Sequence, residues 1–448
     1  MSTLGPVVGY APETVDLHPP GLPDACKNHV WERSRIEWYA ADGGDPLRLL
    51  IEFAESHGVQ ISDLSASPTV TDPFTCGISV LLSPPSVTPS PTPSVPDLVA
   101  VAYSHGPRPR HAPPLDGDRT VGNRTPRQSE AARNFQVPAH SAGARGAGAR
   151  PDKSREARHF GVGPWIGSWT EAEHAAAVEA VRAAIARGDV YVVNLVGHAS
   201  APIFSTHAAS GRPALAVDAG DLAAALARVA ALPGARYGGV LRGNDWWVAT
   251  ASPETLISVA AGRAVTRPIK GTRPATPAGR AELLSSAKER AEHVMIVDLE
   301  RNDLGRVAAV GTVRVDELFA LRRWSGLWQA ESTVSARLAP GVGLAELLTA
   351  VWPGGSVTGA PKRAAIAVAT ALEPVGRGPS MGACGWIGHD RAGRIEIDLG
   401  LTIRTVAVTA GRAHLWAGGG IVWDSDPAAE VAEAAAKMAP IKRALHPG

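Results

Sequence analysis

The stretch Arg267-Pro268-Ile269-Lys270-Gly271-Thr272-Arg273 sets a lysine in a short segment bounded by a proline and a glycine. Leu256-Ile257-Ser258-Val259-Ala260 before it is predicted as a strand, and the residues after it as a polar helix. The lysine is therefore expected where a strand ends, a usual place for chemistry on an α/β scaffold. A lysine whose pKa is lowered by burial can act as a nucleophile toward an activated carbon. Glu254 stands sixteen residues earlier, in Ala251-Ser252-Pro253-Glu254-Thr255. Taken alone, a lysine in a loop is most simply a solvated charge; the neighbouring motifs change that weighting.

The chain has 448 residues and a net charge of +1. That length allows two or three average domains or one with a large core. The near-neutral balance points to neither nucleic acid nor an anionic membrane. Cys26, Cys76 and Cys384 form no metal pattern and no disulfide framework, which suits a reducing cytoplasm. No signal peptide and no membrane span are expected.

Residues 1–82 read as an N-terminal α+β segment without a site signal. Residues 83–160 are expected to be a disordered linker or insertion. Their first part, to about Asp97, is rich in Ser, Pro and Thr. Residues 106–160 hold ten Arg and one Lys against five acidic residues, a net of +6. A basic tail could touch nucleic acid, but without interleaved aromatics a solvated insertion is the better reading. Residues 161–448 are expected to form one large catalytic domain. Thr170-Glu171-Ala172-Glu173 is a capping box opening a helix to about Arg187. Helices are predicted over 222–232, from 277 to 297 or beyond, and over 344–351, 361–372 and 427–445, alternating with strands.

Glu289 and Glu292 lie three apart on one predicted helix, and Glu430 and Glu433 three apart on the last. Residues i and i+3 share a helix face, so each helix can aim two carboxylates at one point. Two facing pairs would suit Mg²⁺, which takes oxygen ligands; either pair alone is an ordinary solvated face. Pro353-Gly354-Gly355-Ser356-Val357-Thr358-Gly359-Ala360-Pro361-Lys362 leads into a helix and is expected to offer amides to an anion. It lacks the Walker pattern, so a nucleotide site is rejected there. Gly418-Gly419-Gly420 offers further approachable backbone donors, Arg404 can clamp a carboxylate, and Lys437 lies one turn beyond Glu433.

Together these stretches resemble the chorismate-utilising family, which includes the large subunits of anthranilate and aminodeoxychorismate synthases and the isochorismate and salicylate synthases. The matching segments are Ser252-Pro253-Glu254, Pro268–Thr272, Glu292 with Asp298–Arg306, Pro353–Lys362, Ile403–Thr405, and Gly418–Ile421 followed by Asp424–Pro427 and Glu430–Lys437. They occur in the family's order over roughly residues 165–445. The implied fold is α/β (α+β): a two-sheet sandwich with flanking helices, like anthranilate synthase component I.

Within the family, Pro-Ile-Lys-Gly-Thr is similar to aminodeoxychorismate synthases, whereas anthranilate synthases usually carry Ala at the lysine. The resemblance implies that Lys270 attacks C2 of chorismate while the 4-hydroxyl departs, protonated by Glu254. Ammonia from a separate glutamine amidotransferase subunit then enters at C4 and expels the lysine. It implies Mg²⁺ on Glu292 and Glu433, with Glu289 and Glu430 acting directly or through water, and Arg404 clamping the enolpyruvyl carboxylate. The implied substrate-binding set adds Gly271, Thr272, Ser356, Thr358, Gly418, Gly419, Gly420 and Lys437. The expected product, 4-amino-4-deoxychorismate, serves 4-aminobenzoate and folate or a related metabolite.

Three positions depart from the family. Gln329 stands where His is usual, Ser380 where an aromatic is frequent, and Val192 where related synthases have Gln and isochorismate or salicylate synthases a water-activating Lys. No glutaminase nucleophile elbow and no pyridoxal-dependent lyase are expected in this chain. The alternatives are anthranilate or 2-amino-2-deoxyisochorismate synthesis and, of another class, a weakly active chorismate-binding scaffold.

Overall fold

The computed structural model describes residues 30–65, 75–105, 158–207, 213–214, 217–390 and 393–446. In chain order the elements begin β1 (Val30–Trp38), α1 (Pro46–Ser56), β2 (Thr75–Leu82), β3 (Leu98–His105), β4 (Arg158–Val162), β5 (Ile166–Gly167) and α2 (Glu171–Ala186). They continue with β6 (Val192–His207), β7 (Pro213–Ala214), α3 (Ala219–Ala230), β8 (Tyr237–Arg242), β9 (Trp246–Ser252), β10 (Thr255–Ala260), β11 (Arg263–Arg267) and β12 (Ile269–Pro274). Next come α4 (Pro277–Ser285), α5 (Ala287–Gly305), β13 (Arg314–Trp324), β14 (Leu327–Arg337), α6 (Leu344–Val351), β15 (Gly359–Ala360) and α7 (Lys362–Leu372). The chain closes with β16 (Ala383–His389), β17 (Ile395–Leu401), β18 (Thr405–Thr409), β19 (Arg412–Ile421) and α8 (Pro427–Leu445).

Two sheets carry the fold. One runs β1-β3-β2-β16-β17-β10-β11-β14-β12, with β13 also on β14; the other runs β15-β6-β19-β18-β9-β8, with β4, β5 and β7 on β6. The largest core joins them: Ile78, Leu81, Ile257 and Leu399 of the first sheet share one buried cluster with Val196, Tyr237, Trp246 and Trp416 of the second. This is the expected α+β two-sheet architecture with flanking helices. Among the described residues no helix is long and apolar enough to cross a membrane.

The expected division at residue 82 does not hold in this arrangement. β2 pairs with β16 from Ala383↔Leu82 to Gly388↔Gly77, so the N-terminal strands extend the main sheet. Residues 83–105 are no linker either. Leu98-Val99-Ala100-Val101-Ala102-Tyr103 is buried throughout and pairs with both β1 and β2. The Ser/Pro/Thr run before it is pinned by Ser83 N–H donating to Asp97 O (2.8 Å) and Gly376 N–H to Pro89 O (2.8 Å). Backbone bonds and an apolar run at its end outweigh its loop-like composition. Most of the basic stretch, 106–157, lies outside the described residues.

The single helix expected from residue 277 is two. Ser286 is extended (φ −69°, ψ 107°) and its side chain accepts from Glu289 N–H, ending α4 and capping α5. Ser286-Ala287-Lys288-Glu289 carries the Ser-x-x-Glu signal for this start. The expected capping box at α2 is present, with Thr170 and Glu173 exchanging both bonds. The caps matter to the site, because α5 and α8 present their carboxylates from their first two turns.

Candidate active site

Lys270 is the second residue of β12, an edge strand, rather than a residue beyond a strand end. Its register with β14 shifts between Lys270↔Ala330 and Thr272↔Gln329, and Gly271 at the shift has φ +75°. A bulge of this kind re-aims the neighbouring side chain. Glycine is required there twice over, since a Cβ would also lie 2.7 Å from Leu283 Cδ1 and 3.0 Å from Glu289 Oε2.

One cleft between the sheets collects most of the residues singled out in the sequence. Glu254, Lys270, Gly271, Thr272, Ser356, Arg404, Gly418, Gly420, Lys437 and the carboxylates Glu289, Glu292, Glu430 and Glu433 all line it. Gly419 borders the same carboxylates: a Cβ on it would lie 2.9 Å from Glu430 Oε2. Thr358 is not among the lining residues. Its hydroxyl donates back to Gly354 O (2.8 Å), and it lines a separate cavity with Glu373 and Arg377.

Lys270 Nζ stands 3.0 Å from Glu292 Oε1, and both groups are buried. Burial pulls the lysine pKa down, but Glu292, Glu254 and Glu433 more than reverse this and hold it above its ordinary value. That is opposite to the lowering expected from burial alone. Glu254, between β9 and β10, is pushed up to about 7 by burial, against the lowering effect of Ser356 and Lys270. Ser356 Oγ donates to its Oε1.

The four helix carboxylates are each held by a cation. Arg273 meets Glu289 at 3.1 Å, Lys288 meets Glu430 at 2.8 Å, and Lys437 meets Glu433 at 2.6 Å. Burial raises the Glu289 carboxyl, with Glu292 and Glu433 adding to it. Burial and then Glu433 raise Glu430. Glu433 itself is lowered: burial works against ionisation, but Lys437, Lys288 and Lys270 prevail.

Among the described residues no three His, Cys, Asp or Glu side chains already converge on a metal-holding point. The donor set nonetheless fits Mg²⁺. Its donors are carboxylate oxygens, and Glu292 Oε1 is buried with no hydrogen-bond partner despite the nearby ammonium. Such binding requires the Glu292–Lys270 and Glu433–Lys437 pairs to open.

The Pro353–Lys362 stretch does not keep its amides for a ligand as expected. Gly355 N–H donates to Glu300 Oε1 (3.0 Å), so the acceptor it serves is one of the protein's own carboxyl groups. Glu300, on α5, is buried, and burial with Asp303 pushes its carboxyl up to about 8. It anchors the loop that brings Ser356 to Glu254. Sequence reasoning quoted Glu300 inside a motif but assigned it no role. Arg377 braces the same loop, donating to Val357 O (2.6 Å), Asn194 O (2.8 Å) and both oxygens of Glu373.

Arg404 is buried with φ +52°, donates to Lys437 O (2.9 Å) and lies over the Trp324 ring at 4.5 Å. Burial lowers its pKa to about 10, so it keeps its charge. Gly418–Gly420 belong to β19 and pair with β6, while β18 pairs only as far as Val406↔Leu415. Among the described residues, the opposite edge of β19 is thus without a strand partner where it reaches the cleft. Gln329 lines the cleft. Ser380 is buried and donates to Thr402 O. Val192 is buried in an apolar cluster with Ile296 and Val422.

A profile of the chorismate binding enzyme family matches residues 116–443. The chain belongs to that family. Among chorismate binding relatives, aminodeoxychorismate synthase component 1 of Bacillus subtilis is 36% identical over 298 residues, 65% of this chain and 59% of that protein. Anthranilate synthase component 1 of Streptomyces coelicolor is 39% identical over 291 residues, 63% of this chain and 53% of that one. The chain therefore spans between half and three-fifths of these curated relatives. Anthranilate synthase component I from Streptococcus pneumoniae has the same fold, with a TM-score of 0.63 at 22% identity over 92% of both chains.

Proposed function

We propose that this chorismate binding enzyme is the large subunit of 4-amino-4-deoxychorismate synthase. The observation that carries the reading is a lysine, Lys270, buried in the cleft between Glu292 and the acid Glu254. Relatives named for this activity and for anthranilate synthesis are similarly near, so the lysine and not the overall identity favours the first.

In this reading Lys270 Nζ, once deprotonated, forms a bond to C2 of chorismate as both ring double bonds shift, C1=C2 to C1=C6 and C5=C6 to C4=C5, and the C4–O bond breaks. Glu254 supplies the proton, and water leaves. Its raised pKa keeps that proton available near neutrality. Ammonia then bonds to C4, both double bonds return to C1=C2 and C5=C6, and the C2–Nζ bond breaks. Arg404 and Lys437 balance the charge of a dicarboxylate. Mg²⁺ on Glu292 and Glu433, with Glu289 and Glu430 beside them, would neutralise the ring carboxylate. The ammonia comes from a separate glutamine amidotransferase subunit or from ammonium salt, and the setting is cytoplasmic.

The test is a product assay with chorismate, Mg²⁺ and ammonium, resolved by mass and chromatography, with Lys270→Ala alongside. Aminodeoxychorismate from the wild type, lost in the variant, supports the reading. Anthranilate or 2-amino-2-deoxyisochorismate from the wild type would place the protein on the other branch. Chorismate binding without product would favour a scaffold role.

A further inference from the structure

The cleft contains a neutral side chain that nothing above assigns. Asn194 is 6% exposed, lines the cleft, and its Nδ2 has no hydrogen-bond partner among the described residues. Buried amide donors are nearly always paired, so an orphan facing a cavity points to an occupant. Its backbone is locked on both sides: its N–H donates to Thr358 O (2.8 Å) and its carbonyl accepts from Arg377 (2.8 Å). The backbone that carries the carboxamide is thus held in place by the loop and the brace described above.

The strand register says what it faces. Asn194 is directly opposite Gly420 in the β6–β19 pair. Opposed residues of an antiparallel pair project to the same face, with Cβ atoms about 4.5–5.5 Å apart. A Cβ on Gly420 would lie 2.9 Å from Lys270 Nζ. The Asn194 side chain therefore starts beside the Lys270–Glu292 pair. Glu292 Oε1 there is also without a hydrogen bond. A buried donor and a buried acceptor sit on one side of the cleft without bonding each other.

We propose that Asn194 is a substrate-contacting residue whose carboxamide donates to an oxygen of the ring carboxylate. This rests on the chorismate reading. The carbon bearing that carboxylate is bonded to the one that Lys270 meets, so its oxygens are the charged substrate acceptors nearest this corner. A neutral donor there orients an anion without adding charge beside the Lys270–Glu292 pair.

The test compares wild type, Asn194→Ala and Asn194→Leu by calorimetric titration with chorismate and Mg²⁺ without ammonia, by steady-state kinetics, and by thermal melting. The expected result is chorismate affinity weakened about tenfold or more in both variants, the scale of a lost hydrogen bond to a charged group. KM should rise while kcat stays within about threefold. The leucine variant should melt at or above the wild-type temperature, because it removes an unpaired buried donor. Affinity within twofold of wild type in both variants would overturn the contact. So would affinity loss accompanied by a melting temperature lowered in both, which would make the amide a structural element. Failure of the wild type to bind chorismate would instead defeat the functional reading itself, and this inference with it.

Discussion

Glu292 Oε1 occupies the space that a Cβ on Gly420 would need, and Lys270 Nζ lies 2.9 Å from the same point. The ion pair at the centre of the cleft therefore rests on a bare backbone. Gly420 serves less as a flexible turn than as a vacancy in the strand face into which the pair fits.

Alanine at the two glycines should separate activity from stability. At Gly420 the colliding atoms are the ends of two long side chains, which can move. Gly420→Ala should fold with a melting temperature within a few degrees of wild type and lose at least about a hundredfold in kcat/KM, because the pair is displaced. At Gly418 the collision is with the Leu195 carbonyl in the paired strand. Gly418→Ala should lower the melting temperature clearly, as backbone overpacking costs about 1–3 kcal/mol.

The pH dependence should follow Glu254. In its proposed role as the acid it must carry its proton, and burial puts its pKa at about 7. Because Lys270 must be deprotonated and its pKa is raised, turnover should climb with pH below about 7 and level off above it as Glu254 ionises, a break missing from the residual activity of Glu254→Gln. Stability follows the same proton. The folded state holds this proton more tightly than the unfolded chain, whose value is near 4.5, so the contribution is full below 4.5 and is lost as pH climbs through 7. Melting curves across that range check it.

Glu300 should behave as a positioning residue. Glu300→Gln keeps an acceptor for the Gly355 amide without a buried charge, so it should equal wild type in stability at pH 6 and exceed it above about pH 8, where the native carboxyl ionises. Glu300→Ala leaves the amide unpaired, costs about 1–3 kcal/mol, and should reduce turnover by loosening Ser356. Restoration of both by the glutamine variant separates these roles from simple packing.

Mg²⁺ should raise the melting temperature of the wild type by selective binding to the folded state, and EDTA should reverse it. Glu433→Gln should need a markedly higher Mg²⁺ concentration for the same shift. A metal-independent melting temperature, measured by scanning calorimetry, would count against the carboxylate set as a metal site.

Arg377→Met should be among the most damaging changes outside the cleft. It strips partners from Val357 O, Asn194 O and the buried Glu373 carboxylate at once. Breaking a buried pair this way costs about 3–5 kcal/mol, measurable by denaturant unfolding.

Much of the site was legible in the chain because its signals are local. Pro268–Thr272, the two Glu-x-x-Glu pairs and the glycine run each announce a residue type at a spacing, and helix geometry alone puts each Glu pair on one face. The Ser286 break was legible too, in a Ser-x-x-Glu signal that the polar surroundings concealed. The segment 83–105 was misread because composition weighs each residue alone. Whether a Pro/Ser run is a linker depends on Trp38 and Gly376, which are distant in the chain and are brought to it by the fold.

By itself the sequence determined the family, the two-layer α+β class, and which side chains could do chemistry, since these depend on periodicity and on motifs read within a few residues. Only the tertiary structure decided the charge state around Lys270, the inward turn of Glu300 onto Gly355, the outward turn of Thr358, and the unpaired amide of Asn194. Each of those is a balance between burial and partners that lie far apart in the chain and meet only when α5, α8, β6 and β19 close on one cleft.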